Sequence, residues 1–565
     1  MSHAAPRRTE QTEIERKYDV HESAAVPDLA GVGGPDVAVA TVERDEAVEL
    51  AATYWDTVDH TLLGARTTLR RREGGGDAGW HLKLPPSAGT AGRREVHWPL
   101  GEPDETVPDA LRRLVEARLR GRPVHPVLRL GTTRTVTRLL DGSGRALAEV
   151  ADDVVRASNP DSASLRTWRE WEVELAPGVD GAEGERLLDA VADRLEAAGA
   201  SASSSKSKLA RGLGAEAAGA AGLPAAGTSA AASSSGGGPD GAASSTPSTA
   251  PGSASPPKKK SAAAFVTSTV AGLRDELLAV DAAVRDDDPG AVHRLRSTAR
   301  RLRAVLTVWD GVLDPGLAGA VVAGAAHVGH ASRAARDAEV TRGRVATRAS
   351  SAPTGFVAVQ ATGRLEARLD ERLHEATGDV RRMLDSHAWF DLLDAVDALV
   401  AAPATGPHAA DPAAELSATR LRAERKRATK AVRAALAAAG AAGGAGAAGG
   451  AGAAGGAGAA GGGGADDVSS DLRHARTAVR RLRQALEVDR ARSGSGRRRA
   501  RRAEAVQDAL GEHRDALAAV RTVREVATLA HRSGEDTFGY GVLATLEVAR
   551  AGEALRRFER AARRL

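Results

Sequence analysis

The sequence contains no cysteine, and aromatic residues make up only 3% of its 565 residues. Without cysteine there can be no disulfide bond, no cysteine nucleophile and no thiolate metal site, which fits a cytoplasmic protein. There is no run of about 20 apolar, uncharged residues, so we expect no membrane span, and the N-terminus lacks the apolar run of a signal peptide. The net charge is only +4, so anion binding would require clustered charges.

A chain of 565 residues is long for one domain and suggests two or three. Its first part, residues 8–213, consists of short strand-like runs between Gly, Pro and Asp turns. Helices are predicted there at 109–119 and 184–198. Many antiparallel strands with few helices predict a barrel or a closed sheet. The predicted strands are 37–50, 51–56, 67–72, 80–84, 93–100, 128–139, 145–155 and 168–175.

The composition changes after residue 213. Residues 214–260 are rich in Ala, Gly, Ser and Pro, cannot bury a core and are predicted to form a flexible linker. From 261 to 565, apolar residues such as Leu273, Leu277 and Val280 recur with helical spacing and predict an all-α domain. A Gly/Ala tract at 435–465 predicts a low-complexity loop inserted between helices. The predicted fold class is therefore a two-domain α+β chain.

Residues 13–18, with the sequence EIERKY, open the strand-rich part. Strand alternation puts Glu13, Glu15 and Lys17 on one face and Ile14 and Tyr18 on the other. Two carboxylates side by side repel each other unless a cation or basic groups lie between them. Taken alone, these six residues also fit a half-exposed edge strand with a solvated face.

Charged residues alternate with apolar ones in the other predicted strands too. If the charged faces point inward, the barrel interior holds a basic and an acidic cluster. Such an interior suits a polyanion that chelates a hard divalent cation, because arginine and lysine hold phosphate oxygens while carboxylates bind Mg²⁺ or Mn²⁺. The basic residues are Lys17, Arg70, Arg72, Lys83, Arg93, Arg134, Arg138 and Lys208, and the acidic residues are Glu13, Glu15, Glu149, Asp153, Glu172 and Glu174.

Five motifs, in this order, resemble the CYTH domain, also called the triphosphate tunnel metalloenzyme family, over about residues 8–213. They are E-x-E-x-K at 13–17, YWDT at 54–57, LRRR at 69–72, WHLKLP at 80–85 and WEVEL at 171–175. The resemblance implies an eight-stranded antiparallel tunnel. Members of that family include inorganic, thiamine and RNA triphosphatases and one class of adenylyl cyclases.

The resemblance also implies roles for individual residues. The acids that match the family's metal ligands are Glu13, Glu15, Glu172 and Glu174, with Asp153 as a further acid. The bases that match its phosphate ligands are Lys17, Arg70, Arg72, Lys83, Arg138 and Lys208, and strand faces add Arg93 and Arg134. Arg94 competes with Arg93 and Asp152 with Asp153, and same-face partners, Glu95 and Glu149, favour Arg93 and Asp153.

In the expected mechanism the basic residues, Lys17 among them, offset the charge of a bound triphosphate, and one metal ion bridges phosphate oxygens and carboxylates. A second metal ion, or a carboxylate such as Glu15 or Asp153, orients the attacking water. The terminal phosphoryl group then leaves through a loose transition state that electrostatics stabilise.

An internal repeat marks the helical part. Residues 293–303 (HRLRSTARRLR) recur as 473–483 (RHARTAVRRLR), which predicts two helical bundles related by a pseudo-twofold axis. Spacings of three and four place the basic residues of each copy on one side of a helix. Scattered arginines are usually solvated helix faces, but two basic faces that meet can bind phosphate chains.

The helical part resembles CHAD, the conserved histidine alpha-helical domain, over about 261–565, through VHRLR at 292–296, ARDA at 335–338 and QDALGEHRD at 507–515. That family binds inorganic polyphosphate and often follows a CYTH domain in bacteria. In the second repeat Arg473 stands in the register of the histidine, and His474 follows. The polyphosphate contacts that the resemblance implies are His293, Arg296, Arg300, Arg303, Arg336, Arg473, His474, Arg476, Arg480, Arg483, His513 and Arg514.

Three functions fit these residues. The first is a bacterial, cytoplasmic, metal-dependent hydrolase of inorganic triphosphate or a related triphosphate, joined to a polyphosphate-binding domain. The second is a protein that binds polyphosphate at granules without turnover. The third, an adenylyl cyclase, has no recognisable adenine pocket. The histidines lack metal-ligand spacing, and the arginine cluster at 497–502 lacks interleaved aromatics, so we expect no specific nucleic-acid partner.

Overall fold

The computed structural model describes residues 9–34, 37–85, 92–101, 106–160, 164–179, 181–205, 207–214, 260–351, 357, 359–448, 462–493 and 496–565. The chain divides into two compact units, Met1–Pro247 and Ser248–Leu565. The predicted linker at 214–260 lies almost wholly outside the described residues.

The first unit is built mainly of strands. Those in the described ranges are β1 Thr9–Glu13, β2 Glu15–Asp19, β3 Gly33–Gly34, β4 Val37–Ala38, β5 Thr41–Arg44, β6 Val48–Asp56, β7 Thr68–Glu73, β8 Gly79–Leu84, β9 Arg93–Pro99, β10 His125–Leu140, β11 Ala146–Ser158, β12 Leu165–Leu175 and β13 Ser201–Ala202. The helices of this unit are α1 Thr61–Gly64, α2 Asp109–Leu119, α3 Gly181–Ala197 and α4 Lys208–Leu213.

Eleven of these strands form one sheet in the order β1-β9-β8-β7-β6-β10-β11-β12-β2-β13, with β5 also paired to β10. All of its pairings are antiparallel, as predicted. β1 and β2 follow each other along the chain and are separated only by Ile14, yet β1 pairs with β9 while β2 pairs with β12. The segment that holds β1 and β2 therefore reaches both ends of the sheet.

The predicted eight-stranded closed sheet is not confirmed, because eleven strands are hydrogen-bonded in the described ranges and their order has two ends. The predicted strand at 37–50 is broken into β4, β5 and the start of β6. From Arg44 to Val48 the chain advances four residues while its partners on β10 advance three, from Thr137 to Arg134, so one extra residue interrupts the pairing between β5 and β6.

The apolar faces of the strands pack against helices. The charged faces of the same strands therefore lie on the side of the sheet away from the helices. Trp171 of β12 and Tyr18 of β2 are buried in one cluster with Leu188 of α3. Burial of a large apolar side chain contributes about 2 kcal/mol. Because alternate residues of a strand point to opposite faces, Glu172 and Glu174 must point away from α3.

The second unit is helical. Its helices in the described ranges are α5 Ala262–Arg285, α6 Ala291–Val308, α7 Pro315–Ala331, α8 Arg333–Ser351, α9 Val359–Leu384, α10 His387–Ala401, α11 Ala413–Ala448, α12 Gly462–Ser493, α13 Arg497–Arg532 and α14 Phe538–Ala562. The predicted helical recurrence of Leu273, Leu277 and Val280 is confirmed, since all three are buried on α5. The two copies of the repeat lie on α6 and α12, which pack against each other.

The sequence predicts a loop over the whole Gly/Ala tract at 435–465, but part of this tract is helical. α11 continues to Ala448 and α12 begins at Gly462, while residues 449–461 lie outside the described ranges. Alanine has the highest helix propensity of all residues and outweighs the scattered glycines. Across the part of the chain that the structure describes, every helix is too short or too polar to cross a lipid bilayer.

Candidate active site and basic helical surface

A cavity of about 330 Å³ lies in the first unit. Its size is at the lower end of the range for small-molecule sites. β1, β2, every strand from β6 to β12 and α4 contribute to its lining. The predicted site residues that line it are Glu13, Glu15, Lys17, Arg70, Arg72, Lys83, Arg93, Arg134, Glu172, Glu174 and Lys208.

Carboxylates form a row across three neighbouring strands. Glu149 of β11 pairs in register with Glu174 of β12, and Glu174 pairs in turn with Glu15 of β2. Directly opposed residues of antiparallel strands have Cβ atoms about 5 Å apart. Three like charges at this spacing repel one another, so the row favours a cation.

A second acidic cluster surrounds Lys208, the first residue of α4. The Nζ atom of Lys208 lies 2.9 Å from the carboxylate of Asp153 and 2.7 Å from those of Glu170 and Glu172. Oxygen atoms of these three acids lie within 4.8 Å of one another, which is close enough to hold a metal ion. Because Lys208, Arg134 and Arg211 already supply positive charge to these acids, we assign this cluster to positioning Lys208.

Glu13 of β1 is 5% exposed and forms a hydrogen bond with Glu95 of β9. Burial and this hydrogen bond raise the pKa of Glu13 to about 8, although Lys83 acts in the opposite direction. Burial also acts to raise the pKa of Glu95, but hydrogen bonds from His81 and Glu13 hold it well below its usual value. The Nζ atom of Lys83 lies 2.5 Å from the Glu13 carboxylate, so Glu13 keeps one cationic partner while burial favours its protonated form.

The arginines Arg70, Arg72 and Arg134 form a basic wall of the cavity. Burial, together with the charges of Arg70 and Arg134, lowers the pKa of Arg72 to about 9. The Arg72 Nε atom has no hydrogen-bond partner among the described residues. Taking positive charges out of water without equal negative charge is costly, so this wall favours an anion.

Two predicted site residues lie outside the cavity lining. Asp153 is fully buried behind Arg134, which donates two hydrogen bonds of 2.7 Å to its carboxylate. Arg138 lies at the rim with 41% of its side chain exposed, where it pairs with Asp45 and, at 3.6 Å, with Glu149. Asp153 therefore holds Arg134 and Lys208 in position and does not face the cavity.

In each of the two pairs of competing residues, Arg93 with Arg94 and Asp152 with Asp153, the two residues lie on opposite faces of their strand. Asp152 accepts hydrogen bonds of 2.8 and 2.7 Å from Arg169, away from the cavity. Arg94 donates to Glu10, whereas Arg93 lines the cavity. In both pairs the residue on the cavity side is the one that shares a strand face with another charged residue, Glu95 for Arg93 and Glu149 for Asp153.

Four residues of the cavity and the lysine cluster were not predicted from the sequence. Glu95 and Tyr54 line the cavity, and Asp77 lines it from the turn between β7 and β8. Glu170 completes the cluster around the α4 lysine. Glu95 and Glu170 share a face with predicted residues, which was the available signal, whereas a turn has no periodicity that could place Asp77.

Glu13, Glu15 and Glu174 are the residues best arranged to hold a divalent cation. Carboxylate oxygens are the ligands that Mg²⁺ and Mn²⁺ prefer. Glu174 forms no ion pair within the described ranges, and burial raises its pKa. Burial is the main cause of the raised pKa values of Glu13 and Glu174, and a metal ion would favour the charged forms of both carboxyl groups.

In the second unit, arginines gather where α6 and α12 pack together. Burial and the neighbouring Arg480 lower the pKa of Arg300 to about 9. Burial and the neighbouring Arg476 lower the pKa of Arg480 to about 10. These shifts mean that the positive charges lie close together and are poorly balanced. We call this cluster the basic surface, and it consists of Arg296, Arg300, Arg336, Arg476, Arg480, Arg483 and Arg514.

The remaining predicted residues of the helical unit lie differently. His293, Arg303, Arg473 and His474 are exposed on α6 and α12. His513 is half-buried, and its Nδ1 atom donates a hydrogen bond of 3.0 Å to the backbone oxygen of Ala551. This bond gives His513 a local structural role.

Comparison with protein families identifies two domains in succession. The CYTH domain matches residues 11–213, and the CHAD domain matches residues 268–524. The uncharacterized proteins MT2285 and Rv2226 of Mycobacterium tuberculosis are each 33% identical over 579 residues, which cover 99% of this chain and 98% of the relative. The structure of PptA from Streptomyces chartreusis matches with a TM-score of 0.40 at 19% identity and covers 53% of this chain and 99% of that one.

Proposed function

Since the chain belongs to the proteins in which a CYTH domain precedes a CHAD domain, we propose that it is a metal-dependent hydrolase of inorganic triphosphate or a related triphosphate. The observation that carries this proposal is the double imbalance of charge in one cavity. Burial and the neighbouring arginines lower the pKa of Arg72, whereas burial raises the pKa values of Glu13 and Glu174, so the cavity favours added negative charge beside Arg72 and added positive charge beside the two carboxyl groups. A triphosphate that carries a divalent cation supplies both.

The chemistry of the lining residues supports distinct roles. The guanidinium groups of Arg70 and Arg72 would bind phosphate oxygens through paired hydrogen bonds. Arg134, which already donates two hydrogen bonds to Asp153, would contribute mainly its positive charge.

The carboxylates of Glu13, Glu15 and Glu174 would hold Mg²⁺ or Mn²⁺. The bound ion would neutralise phosphate charge and polarise the phosphoryl group. Glu15 would orient the attacking water, and Lys17, whose Nζ lies 3.1 Å from Glu15, would stabilise the negative charge that develops nearby.

Asp153 acts at one remove in this proposal. It is fully buried and binds Arg134 and Lys208 instead of facing the cavity. By fixing these two cations before substrate arrives, it lowers the cost of organising them in the transition state. Lys208 then contacts the phosphate chain from the lining of the cavity.

The segment Thr9–Asp19 bears on the shape of the cavity. Counting β1 and β2 as one bent strand, with β6 to β12, gives eight strands around the lining residues. We propose that this segment closes the sheet into a tunnel. A tunnel would exclude water and strengthen each charge interaction inside it.

The basic surface of the helical unit would bind inorganic polyphosphate. Its arginines combine charge with bidentate hydrogen bonding, which suits a phosphate chain of any length. This binding would hold the protein at polyphosphate granules in the cytoplasm.

Phosphate release from tripolyphosphate with Mg²⁺ or Mn²⁺ tests the proposal. We expect Glu15→Gln and Arg72→Ala to lower kcat/KM by about 100-fold or more, as loss of a charged transition-state contact does. Glu73→Gln and Arg129→Ala make the same changes at exposed strand positions and should leave the rate unchanged. A folded wild-type protein that releases no phosphate with either metal contradicts the proposal.

A panel of other substrates decides between the remaining functions. Thiamine triphosphate, ATP and long-chain polyphosphate should each be compared with tripolyphosphate. Tight polyphosphate binding without hydrolysis would favour the non-catalytic binding protein, and cyclic AMP formation from ATP would favour the cyclase.

A further inference from the structure

The turn between β7 and β8 places a carboxylate directly on the basic wall of the cavity. Asp77 lies in this glycine-rich turn, residues 74–78 with the sequence GGGDA. Its side chain is 60% exposed and ion-pairs with Arg72, whose side chain is only 6% exposed. Asp77 therefore covers a proposed phosphate-binding arginine from the solvent side.

The backbone of this turn is held by hydrogen bonding and packing, whereas the Asp77 carboxylate is held by its ion pair with Arg72. The Nε2 atom of His81 lies 2.9 Å from the backbone oxygen of Asp77. At Gly79 a Cβ atom would lie 2.3 Å from the His97 Nε2 atom and 2.6 Å from the Trp98 backbone oxygen, so glycine is required there. Rotation of the Asp77 side chain can therefore release Arg72, but the carboxylate stays at the rim.

The other acid at the rim differs from Asp77 in its partner. Glu149 lines the cavity and has 51% of its side chain exposed, but it lies 3.6 Å from Arg138. Its charge is thus shared with a rim cation, and Arg138 in turn pairs with Asp45. Asp77 instead competes with an anion for the buried wall.

We propose that Asp77 is a specificity-determining residue that restricts the cavity to short phosphate chains. The inference rests on the proposed function for its substrate class. When the cavity is empty, Asp77 occupies Arg72, and a bound triphosphate displaces it. A longer chain would place further negative charge beside the displaced carboxylate at the rim, and like charges at such distances repel strongly in a partly dry site.

Hydrolysis of chains of defined length by the full protein tests this inference. Asp77→Asn and Asp77→Ser should raise the ratio of kcat/KM for tetrapolyphosphate to that for tripolyphosphate about tenfold, which corresponds to about 1.4 kcal/mol. Asp45→Asn removes a rim charge that does not line the cavity, and it should leave the ratio unchanged. An unchanged ratio in both Asp77 variants, or an equal change in Asp45→Asn, overturns the inference.

A binding measurement separates failure of this inference from failure of the proposed function. Calorimetric titration of tripolyphosphate and tetrapolyphosphate without metal, in a background of Arg300→Ala and Arg480→Ala, reports binding to the cavity even if no hydrolysis occurs. Asp77→Asn should shift the preference toward the longer chain, whereas Asp45→Asn should not. No shift in Asp77→Asn, or an equal shift in Asp45→Asn, overturns the inference regardless of catalysis.

Discussion

Replacing Glu13 by glutamine should stabilise the metal-free protein, although it removes a proposed metal ligand. Burial, chiefly, raises the pKa of Glu13 from 4.5 to about 8. An acid whose pKa is raised by folding contributes its full stability below the unfolded pKa and loses it as pH rises through the folded pKa. At about 1.4 kcal/mol per pH unit, the wild-type protein loses about 4 kcal/mol on this account by pH 8.

Glutamine keeps the size of the side chain and cannot ionise, so Glu13→Gln avoids this loss. We expect the variant to exceed the wild type by about 2 to 4 kcal/mol at pH 8 and by less than about 1 kcal/mol at pH 5. Urea-dependent hydrogen exchange of peptides from β8 and β9, in the full chain with EDTA, measures the first unit separately from the helices. Glu73→Gln, at an exposed position of β7, is the matched control.

Two results would refute this reasoning. One is a Glu13→Gln protein that is no more stable at pH 8 than Glu73→Gln, and the other is a stability gap that persists unchanged at pH 5. Addition of Mg²⁺ extends the test, because a ligand stabilises the folded state that binds it. It should stabilise the wild type more than Glu13→Gln.

Three further predictions concern charges other than those of Glu13, Glu15 and Glu174. Lys208→Met leaves three buried carboxylates without their shared cation and should destabilise the first unit by about 3 to 5 kcal/mol, measured by the same exchange experiment. Lys260→Met, at an exposed position, should have no effect, and equal effects would contradict the assignment of the lysine cluster. Arg300→Ala and Arg480→Ala should each weaken polyphosphate binding and reduce the slope of log affinity against log salt by about 1, more than Arg303→Ala does. Because the pKa values of Arg300 and Arg480 are lowered to about 9 and 10, wild-type binding in a calorimetric pH series should weaken as these groups lose their protons above pH 9, and constant affinity would count against this site.

Strand alternation predicted much of the first unit. Trp171 packs against a helix while Glu172 and Glu174 line the cavity, as their alternation requires. The helix at Asp109–Leu119 was predicted to the residue. These features follow from local periodicity, which a sequence displays directly.

Other features depend on distances that periodicity does not contain. Alternation gives the side of a strand on which Asp153 lies, but not that Arg134 and Lys208 cover it. It also cannot place Asp77, because a turn has no repeating pattern. The continuation of α11 to Ala448 differs from the predicted loop for another reason. Low complexity suggests a loop, but the alanines of this tract favour a helix.

The position of the segment Thr9–Asp19 has a consequence for how this protein fails. A sheet edge with free N–H and C=O groups can pair with another chain and lead to aggregation. This single segment covers β9 at one end of the sheet and β12 at the other, and it also carries Glu13, Glu15 and Lys17. Local detachment would uncover two edges and dismantle the cavity in one event. Inactive molecules and aggregation-prone molecules would then be the same population, so loss of activity on heating should coincide with the onset of light scattering.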